Sequence, residues 1–216
     1  MAQLSMPSSA GRGPGRPPAA KAADTRKRIV RAARSVFSEC GYEAATFQEI
    51  AVRADLTRPA INHYFSSKQL LYREVVDETN ELVITAAVER AQRETTLIGR
   101  LSAFIAGATQ AVSENPSSAA FLMIAALESQ RHPELRGVEA GSVHSTREFL
   151  ARALDDAIER GEITTETDRA SLTEMLVMLL CGVGFYAGFV GSREQMDGVT
   201  LQLQQLMTGK LWQLED

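Results

Sequence analysis

The apolar residues of this chain recur at intervals of three and four positions along most of its 216 residues. That spacing places them on one side of an α-helix, and strand-like alternation of useful length does not occur. The pattern therefore predicts an all-α protein. Helices are predicted from Asp24 to Gly41, in two short segments between residues 47 and 65, from a Ser66–Gln69 capping box to about Glu94, and at about 97–114, 117–130, 134–160, 168–190 and 193–213.

The stretch 46–65 is the most informative part of the sequence, because it predicts two short helices joined by a tight turn. Thr46 and Glu49 have the spacing of a capping box, in which each side chain accepts a backbone N–H at the start of a helix. A helix should therefore begin at Phe47. Its apolar face consists of Phe47, Ile50, Ala51 and Ala54.

The second short helix follows a turn formed by Asp55 and Leu56. Thr57 is placed to cap this helix by accepting an unpaired backbone N–H. Pro59 lies in its first turn, where a missing N–H costs nothing. Two helices joined this closely can place the second across the major groove of DNA while the first braces it. The inward face of the second helix is predicted to consist of Ile61, Tyr64 and Phe65.

One continuous motif covers both helices and the start of the next. It consists of Thr46, Ile50, Ala51, Ala54, Leu56, Thr57, Arg58, Pro59, Ala60 and Ile61, then His63-Tyr64-Phe65-Ser66-Ser67-Lys68 and Leu70-Leu71. The motif resembles the DNA-binding half of TetR-type (tetracycline-repressor-like) regulators, over about residues 25–75. The resemblance implies a helix-turn-helix DNA-binding domain over 24–70 and a helical ligand-binding and dimerisation domain over 71–216.

Two positions depart from the family pattern. Asp55 stands where the family's turn usually has glycine in a left-handed backbone conformation, which aspartate is one of the few other residues to tolerate. Asn62 stands where the family often has tyrosine. The second departure leaves the operator sequence open but does not affect the predicted class.

The candidate DNA-binding residues follow from position and from the resemblance. Arg58 could read a guanine, Asn62 an adenine and Ala60 a thymine methyl group, and the threonines at helix N-termini can offer hydroxyl and N–H groups to phosphate. The resemblance assigns the tyrosine and lysine below to phosphate contacts and the histidine to an aromatic neighbour of phosphate; the tyrosine could instead simply pack. The predicted set is Thr46, Thr57, Arg58, Pro59, Ala60, Asn62, His63, Tyr64 and Lys68, with Arg26, Lys27 and Arg28 as nonspecific phosphate partners or solvated side chains.

The charge distribution agrees with a DNA-binding head. The net charge of −4 argues by itself against a simple nucleic-acid binder. However, residues 1–75 hold 12 lysines and arginines against 6 acidic residues, a net charge of +6, and residues 76–216 hold 11 against 21, a net charge of −10. A basic head on an acidic body is expected when one domain binds phosphate and the other does something else.

Residues 1–23 are rich in Pro, Gly, Ala and Ser and are predicted to be a disordered basic arm. Arg12 and Arg16 lie in a Gly-Arg-Gly-Pro-Gly-Arg-Pro-Pro run. Such an arm can insert arginine into a narrow A·T-rich minor groove. A solvated tail without a role is the alternative.

Other chemistry finds little support in the sequence. His63, His132 and His144 have no partner at metal-ligand spacing, and no nucleophile elbow, Walker loop or dinucleotide fingerprint occurs. No enzyme activity, metal or cofactor is therefore predicted. Cys40 and Cys181 lie far apart in apolar helical surroundings, which favours buried structural thiols in a reducing cytoplasm over a redox pair. The alternative to a DNA-binding regulator is a helical protein-interaction or dimerisation scaffold.

The run from Met175 to Ser192 contains 18 residues without a charge. This is the lower limit of length for a membrane span, but a helix that is apolar all round is more often buried between other helices. We therefore predict no membrane role and place a homodimer interface at about 168–213. Gly184 and Gly188, four residues apart, would let a partner helix approach closely. The apolar area would come from Leu176, Leu179, Leu180, Val183, Val190, Leu203, Leu206, Met207 and Leu211.

The body is also predicted to hold a pocket for a small effector. Few ionisable residues fall within its apolar stretches, so a largely hydrophobic molecule is favoured over an anion. The sequence thus predicts a ligand-responsive, homodimeric cytoplasmic repressor that binds double-stranded DNA at a palindromic operator. The candidate pocket walls are Phe104, Phe121, Met123, Leu127, Met178, Phe185, Tyr186 and Phe189.

Overall fold

The computed structural model describes residues 18–136 and 140–211, and within these ranges the chain forms helices and no β-strand. The all-α prediction is confirmed. The helices are α1 (Pro18–Ala44), α2 (Phe47–Arg53), α3 (Arg58–Tyr64), α4 (Lys68–Asn80), a π-helical segment (Glu81–Thr85), α5 (Ala86–Ala91), α6 (Leu97–Glu114), α7 (Ser117–Arg131), a 3-10 turn (Pro133–Leu135), α8 (Ala140–Glu159), α9 (Arg169–Phe189) and α10 (Arg193–Met207).

The first four helices form the head of the molecule, and their starts are determined by local capping. The Thr46 hydroxyl accepts the N–H of Glu49 at the start of α2, and the Thr57 hydroxyl accepts the N–H of Ala60 at the start of α3. Each contact satisfies a backbone donor that the helix itself cannot pair. Ser67, not Ser66, caps α4 by accepting the N–H of Leu70, and because the Leu70 side chain cannot hydrogen-bond, the predicted capping box does not form.

Several other predicted helix ends also require correction, among them the end of α10, which lies at Met207 rather than at about residue 213. α1 begins at Pro18 rather than Asp24, so residues 18–23, predicted as disordered, are helical. Residues 1–17, with Arg12 and Arg16, lie outside the described part of the chain. α1 continues to Ala44 past a break at Gly41, where φ is 76°. The helix predicted over 134–160 begins at Ala140, because Pro133 starts a separate 3-10 turn.

One hydrophobic core holds the head together and extends into the body. Ile29, Phe37, Ile50 and Ile61 are fully buried in it, and Phe121 of α7 is buried in the same core. The Phe37 ring packs edge-on against Tyr72, at 4.9 Å between centroids, and Tyr72 packs in turn against Phe121. The head core also includes Val75 and Val76 of α4. The division at residue 70 stays a prediction, and α4 belongs to the packing of both parts.

The body consists of α5 to α10 around a second core, which buries Leu101, Phe104, Leu150 and Leu176 among others. α4, the π-helical segment and α5 follow one another without a break, so one continuous rod (68–91) connects the two cores. Val83, in the π-helical segment, is buried in a third, smaller cluster with Ala111 and Leu122. The rod therefore contacts the head at one end and the interior of the body at the other.

A buried arginine lies where the head meets the body. Arg34 of α1 is 1% exposed, yet only one of its nitrogens, Nη2, has a hydrogen-bond partner among the described residues, at 3.4 Å from Asn115 Oδ1. Burial lowers the pKa of Arg34, and the negative charge of Glu78 opposes that effect. Glu78 is itself half-buried, and burial raises its pKa despite the attraction of Arg34. The junction therefore contains charges that are incompletely paired, which is costly in a low-dielectric interior.

The turn of the head yields a first prediction. Asp55 has φ 51°, a left-handed conformation that costs β-branched residues most. We expect Asp55→Val to be less stable than Asp55→Gly by at least about 1 kcal/mol. Urea unfolding of the two variants measures the difference. Since both changes remove the same carboxylate, equal stabilities would show that the turn carries no backbone strain.

Glu78 yields a second prediction, which concerns pH. A carboxyl whose pKa is raised in the folded state stabilises that state at pH values below its unfolded pKa, and the contribution is lost as the pH rises through the folded pKa. The stability of Glu78→Gln relative to the natural protein should therefore increase from about pH 4.5 upward and then level off. Urea unfolding over a pH series tests this. The exposed Glu89→Gln provides the same charge change without burial and should show a smaller trend; equal trends would contradict the assignment.

Candidate nucleic-acid interface and internal cavity

α3 presents one face to solvent and the other to the head core. Ile61 is fully buried and Phe65, the residue that ends the helix, is 3% exposed. On the opposite side Arg58, Pro59, Asn62 and His63 are exposed, and Ala60 is partly exposed. The predicted inward and outward residues of α3 thus lie where the sequence placed them. The exposed face has the residue types that read base edges in a major groove.

The caps of α2 and α3 leave groups available for phosphate. Thr46 and Thr57 are exposed, and their oxygens accept N–H groups at 3.2 Å and 3.3 Å. A hydroxyl that accepts one hydrogen bond can still donate its own hydrogen. Both threonines can therefore cap a helix and donate to a phosphate oxygen at the same time, at the helix end that favours negative charge.

Lys68 has a structural role that the sequence did not reveal. Its ammonium donates to the backbone oxygens of Glu43 at 2.9 Å and Ala45 at 3.2 Å, and lies 4.6 Å from the centre of the Tyr42 ring. Lysine has three N–H donors, so one remains for a phosphate. Lys68 connects the end of α1 to the start of α4, and its phosphate contact stays a prediction.

Two other predicted phosphate residues hold α3 in place instead. Arg28 donates to the backbone oxygens of Ala54 at 2.5 Å and Asp55 at 3.1 Å, which supports the turn before α3. Arg26 donates to Glu74 and lies 4.4 Å over the Phe65 ring. Neither was predicted to make these contacts, because the partners are distant in sequence.

The last predicted contacts lie beside α3. Tyr64 is partly buried and packs against the head core, and its ring meets His63 edge-on at 5.4 Å. Its backbone oxygen accepts a hydrogen bond from Arg26 at 3.4 Å. The packing alternative for Tyr64 is therefore observed, while its exposed fraction leaves the predicted phosphate contact open.

The body contains a cavity of about 90 Å³ between the rod and α6 to α9. No charged side chain is among the residues that line it, and its polar groups are Thr109, Ser142, Thr146 and Cys181. Val83 and Ile84 place the π-helical segment in the wall. π-Helical turns inside helices are frequent at functional sites, because they project side chains out of the regular register. The apolar lining is Val83, Ile84, Phe104, Ile105, Ala108, Val112, Ala119, Leu122, Met123, Val143, Leu180, Val183, Gly184 and Ala187.

The structure brings only two of the eight predicted pocket walls together. Phe104 and Met123 line the cavity. Phe121 instead belongs to the head core, and Tyr186 packs beside Gly191. The remaining four predicted walls, which are Leu127, Met178, Phe185 and Phe189, point outward and are exposed. None of these six residues lines this cavity. Four of them lie on α9, which is apolar on all sides, so the sequence cannot tell the inner face of this helix from its outer one.

The outer face of α9 carries a regular apolar stripe. The stripe follows the alternating three- and four-residue spacing of helices that pack side by side. Phe185 and Phe189 lie next to each other in it, with ring centroids 5.3 Å apart. Within one chain this face of α9 is therefore not covered by the described residues. The stripe consists of Met175, Met178, Gly182, Phe185 and Phe189.

The two glycines assigned to the dimer interface, Gly184 and Gly188, lie against α7 of the same chain. A Cβ on Gly188 would lie 2.9 Å from the backbone N of Ala120, and one on Gly184 would lie 3.5 Å from Met123 Cε. Gly188 therefore allows α7 to approach α9 closely within one chain, whereas a side chain at Gly184 would make only an ordinary van der Waals contact. Gly182 is the outward glycine, where an added Cβ would meet no described atom within 4 Å.

The remaining assigned interface residues divide in the same way. Leu176 and Leu180 are buried, Val183 lines the cavity, and Leu179, Leu203 and Met207 pack against the body core. Of the residues predicted to form the dimer interface, and for which the structure describes burial, only Val190 and Leu206 are exposed. Within the described ranges, α9 is also the one helix long and apolar enough to cross a membrane.

The two cysteines differ from expectation in one respect. Cys181 is partly buried in the cavity wall, where burial raises the pKa of its thiol, whereas Cys40 is exposed. Both are free. The expectation that both are buried was wrong for Cys40, which lies on the solvent side of α1 near its break.

Comparison with known proteins agrees with this architecture. Residues 29–75 match the bacterial regulatory proteins of the tetR family, and residues 98–203 match the tetracyclin repressor-like C-terminal domain. The chain is 25% identical over 163 residues to the HTH-type transcriptional regulator UidR of Escherichia coli strain K12, which covers 76% of this chain and 81% of UidR. It is 27% identical over 190 residues to the A-factor receptor protein of Streptomyces griseus, covering 85% of this chain and 62% of the receptor.

A solved structure has the same fold. Salmonella enterica GusR is 25% identical and superposes with a TM-score of 0.67 over 87% of this chain and 95% of GusR. A helix-turn-helix head joined to a helical body with an internal cavity defines a DNA-binding, ligand-responsive transcriptional regulator. The chain belongs to the tetR family of bacterial regulatory proteins, whose members bind operators, act as dimers and bind small-molecule effectors.

The exposed face of α3 yields a third prediction. Arg58→Ala should cost about 1–3 kcal/mol on the preferred DNA sequence and relax the preference at one base position, because a bidentate base contact is lost. Binding titrations on the preferred duplex and on single-base variants of it measure both effects.

Lys27→Ala is the matched control for Arg58→Ala. It removes one positive charge from an exposed position of α1, so it should leave the order of preferred bases unchanged. If Arg58→Ala weakens all sequences equally, as Lys27→Ala should, then Arg58 contacts phosphate and α3 lies in the groove with a different face.

Proposed function

We propose that this protein is a homodimeric repressor that binds a palindromic operator and leaves it when a small, largely apolar molecule enters the body. The observation that carries the proposal is α3, a short capped helix with its inner face fixed in a core and its exposed face formed by Arg58, Pro59, Asn62 and His63. We further propose that the protein acts in the cytoplasm, on the chromosome, and catalyses no reaction.

The contacts of α3 with operator DNA follow from this arrangement. Arg58 and Asn62 read base edges and Ala60 meets a thymine methyl group, while Pro59 sets the first turn of α3 against the groove. Thr46 and Thr57 donate to phosphates from the starts of α2 and α3. The DNA backbone there is also contacted by Tyr64, His63 and the remaining N–H of Lys68. One head covers too few base pairs to be specific in a genome. Specific binding therefore requires a second copy of the chain.

The second copy packs on the apolar stripe of α9. The chain exposes 69% of Met178 and 54% of Phe185 there. Burial of a large apolar side chain contributes about 1.5–3 kcal/mol, so the four large residues of the stripe in each copy can hold a stable dimer. A two-fold axis at this stripe is consistent with two heads that bind successive major grooves about 34–36 Å apart.

The apolar cavity is the proposed effector site. At about 90 Å³ it is smaller than the usual ligand pocket of roughly 300–1,000 Å³. An effector of ordinary size must therefore displace its walls. The wall formed by Val83 and Ile84 is part of the rod, whose Tyr72 and Val75 are fixed in the head core. Displacement of the π-helical segment therefore tilts the head while the α9 interface stays in place.

The energetic requirement is modest. To shift the ratio of the released to the operator-binding state from 1:99 to 99:1, the effector must bind the released state about 10⁴-fold more tightly. This corresponds to about 5.5 kcal/mol. Burial of roughly 200 Å² more apolar surface in the released state supplies about 5 kcal/mol. By reciprocity, operator DNA must weaken effector binding by the same factor.

A fourth prediction tests the dimer and the operator together. Selection of random duplexes by the purified protein should enrich inverted repeats whose half-sites are one helical turn apart. Phe185→Glu places a charge in the stripe of each copy, so it should raise the dimer dissociation constant at least about 100-fold and abolish the preference for two half-sites. Sedimentation at micromolar concentration and a repeat of the selection measure both results.

Leu70→Glu is the control for Phe185→Glu. Leu70 is equally exposed, but it lies on α4 in the head, so its replacement should leave the protein dimeric. A natural protein that sediments as a monomer, or that enriches no inverted repeat, would contradict the proposed function.

A further inference from the structure

A second, larger concavity lies on the neighbouring face of α6. It is an open groove of about 600 Å³ between α6 and α10. Unlike the cavity, it is lined mainly by polar side chains. They are Thr109, Gln110, Ser113 and Glu114 of α6 and Asp197, Thr200 and Gln204 of α10, with Ala106 and Leu201 as the apolar members.

The groove and the cavity share Thr109. On α6 the cavity is lined by positions 104, 105, 108, 109 and 112, and the groove by positions 106, 109, 110, 113 and 114. These are adjacent faces of one helix, because positions three and four apart lie above one another. Thr109 stands on the border between them. A molecule that occupied the apolar cavity and extended past Thr109 would enter the polar groove.

Several of the hydrogen-bond donors of the groove are already used within the chain. Gln204 donates to Ser102 at 2.7 Å, Gln110 donates to Glu114 at 3.2 Å, and the Thr200 hydroxyl donates to the Met196 backbone oxygen at 2.8 Å. The Asp197 carboxylate makes no hydrogen bond with the described part of the chain. Carboxylates accept only, so a ligand group that pairs with Asp197 must bring donors of its own.

The charge of the groove points to the same ligand chemistry. Its two charged lining residues, Glu114 and Asp197, are both acidic. The basic residue beside it, Arg90, donates to Gln110 at 3.0 Å and is not part of the lining. An anionic group would meet like charge here, whereas an ammonium or a hydroxyl would find acceptors. The groove thus discriminates by charge, which the uncharged cavity cannot do.

We propose that the effector is an amphiphile that binds in two parts. Its compact apolar body fills the cavity, and a polar group that donates hydrogen bonds and carries no negative charge lies in the groove beside Thr109, Glu114 and Asp197. The proposal rests on the proposed function, since it names the ligand class for the same effector site. It also accounts for the small size of the cavity, which then holds only the apolar part of the molecule.

The test uses three probes with one eight-carbon chain and different polar groups. They are octylamine, 1-octanol and octanoate, titrated calorimetrically into the full-length protein. Octylamine should bind most tightly and octanoate at least about tenfold more weakly, because the chain is common and only the charge of the polar group differs. Octanoate binding as tightly as octylamine would overturn the proposal, and so would a protein that binds none of the three probes.

Variants assign the preference to the groove. The double variant Glu114→Gln with Asp197→Asn should bring the affinities of octylamine and octanoate within about threefold, because the acidic lining is gone while the shape is kept. The double variant Glu89→Gln with Glu194→Gln is the matched control: it removes two negative charges from exposed positions outside the groove and should preserve the tenfold preference. A preference that survives the double variant would show that the groove does not hold the polar group.

A cavity variant separates the two subsites. Ala108→Leu replaces a methyl group by an isobutyl group in the cavity wall and should weaken all three probes by a similar factor, with the preference among them retained. Circular dichroism checks that the variant is folded; if it is not, Val112→Leu is the milder substitution at the same wall. Probes that bind the filled cavity unchanged would place the apolar body elsewhere and overturn the two-part site.

Selection of operator DNA, done without any probe, keeps this inference separate from the proposed function. If the protein enriches inverted repeats but shows no preference among the probes, the proposed function stands and only the two-part effector site is contradicted. If the protein enriches no inverted repeat, the proposed function itself is contradicted, whatever the probes show.

Discussion

The position of α3 depends on the core beneath it. A helix of seven residues is far too short to be stable alone in water, so its local caps only define where it begins. Ile61 and Phe65 fix it from inside, Arg28 supports the turn before it, and Arg26 covers Phe65. A recognition surface of this size is rigid only because several distant residues hold it, and any process that weakens this core loosens the DNA-binding face.

The same core makes communication with the body possible. Tyr72 and Phe121 belong to the head core although they come from α4 and α7, so the head is not an independently packed unit on a flexible linker. Further along the same rod, Val83 and Ile84 form part of the cavity wall. The π-helical segment there interrupts the regular α-helical ladder, and the junction at Arg34 and Glu78 is incompletely paired. Both features lie on or against the part of the rod between the head core and the cavity.

α9 serves two surfaces at once. Its inner face packs on the body core and lines the cavity, while its outer face carries the stripe that we assign to a second copy. A helix with these two duties must be apolar on all sides, which explains why its composition alone permits a membrane span. With that assignment, two protein interfaces account for the charge-free run in the sequence. A ligand in the cavity would also contact the helix that we assign to the interface between the two copies.

The sequence by itself determined the features that depend on neighbours a few residues away. The caps at Thr46 and Thr57, the left-handed turn at Asp55 and the inward positions Ile61 and Phe65 follow from local geometry, and the structure has them as predicted. The motif also identified the family, because its residues lie close together in the chain. Only the tertiary structure decided which side of α9 faces inward, that Gly188 admits α7 rather than a partner, and that Lys68 and Arg28 hold backbone oxygens far along the chain. The physical reason is that an all-apolar helix carries no periodic signal for its faces, and a contact between distant residues depends on how the helices pack.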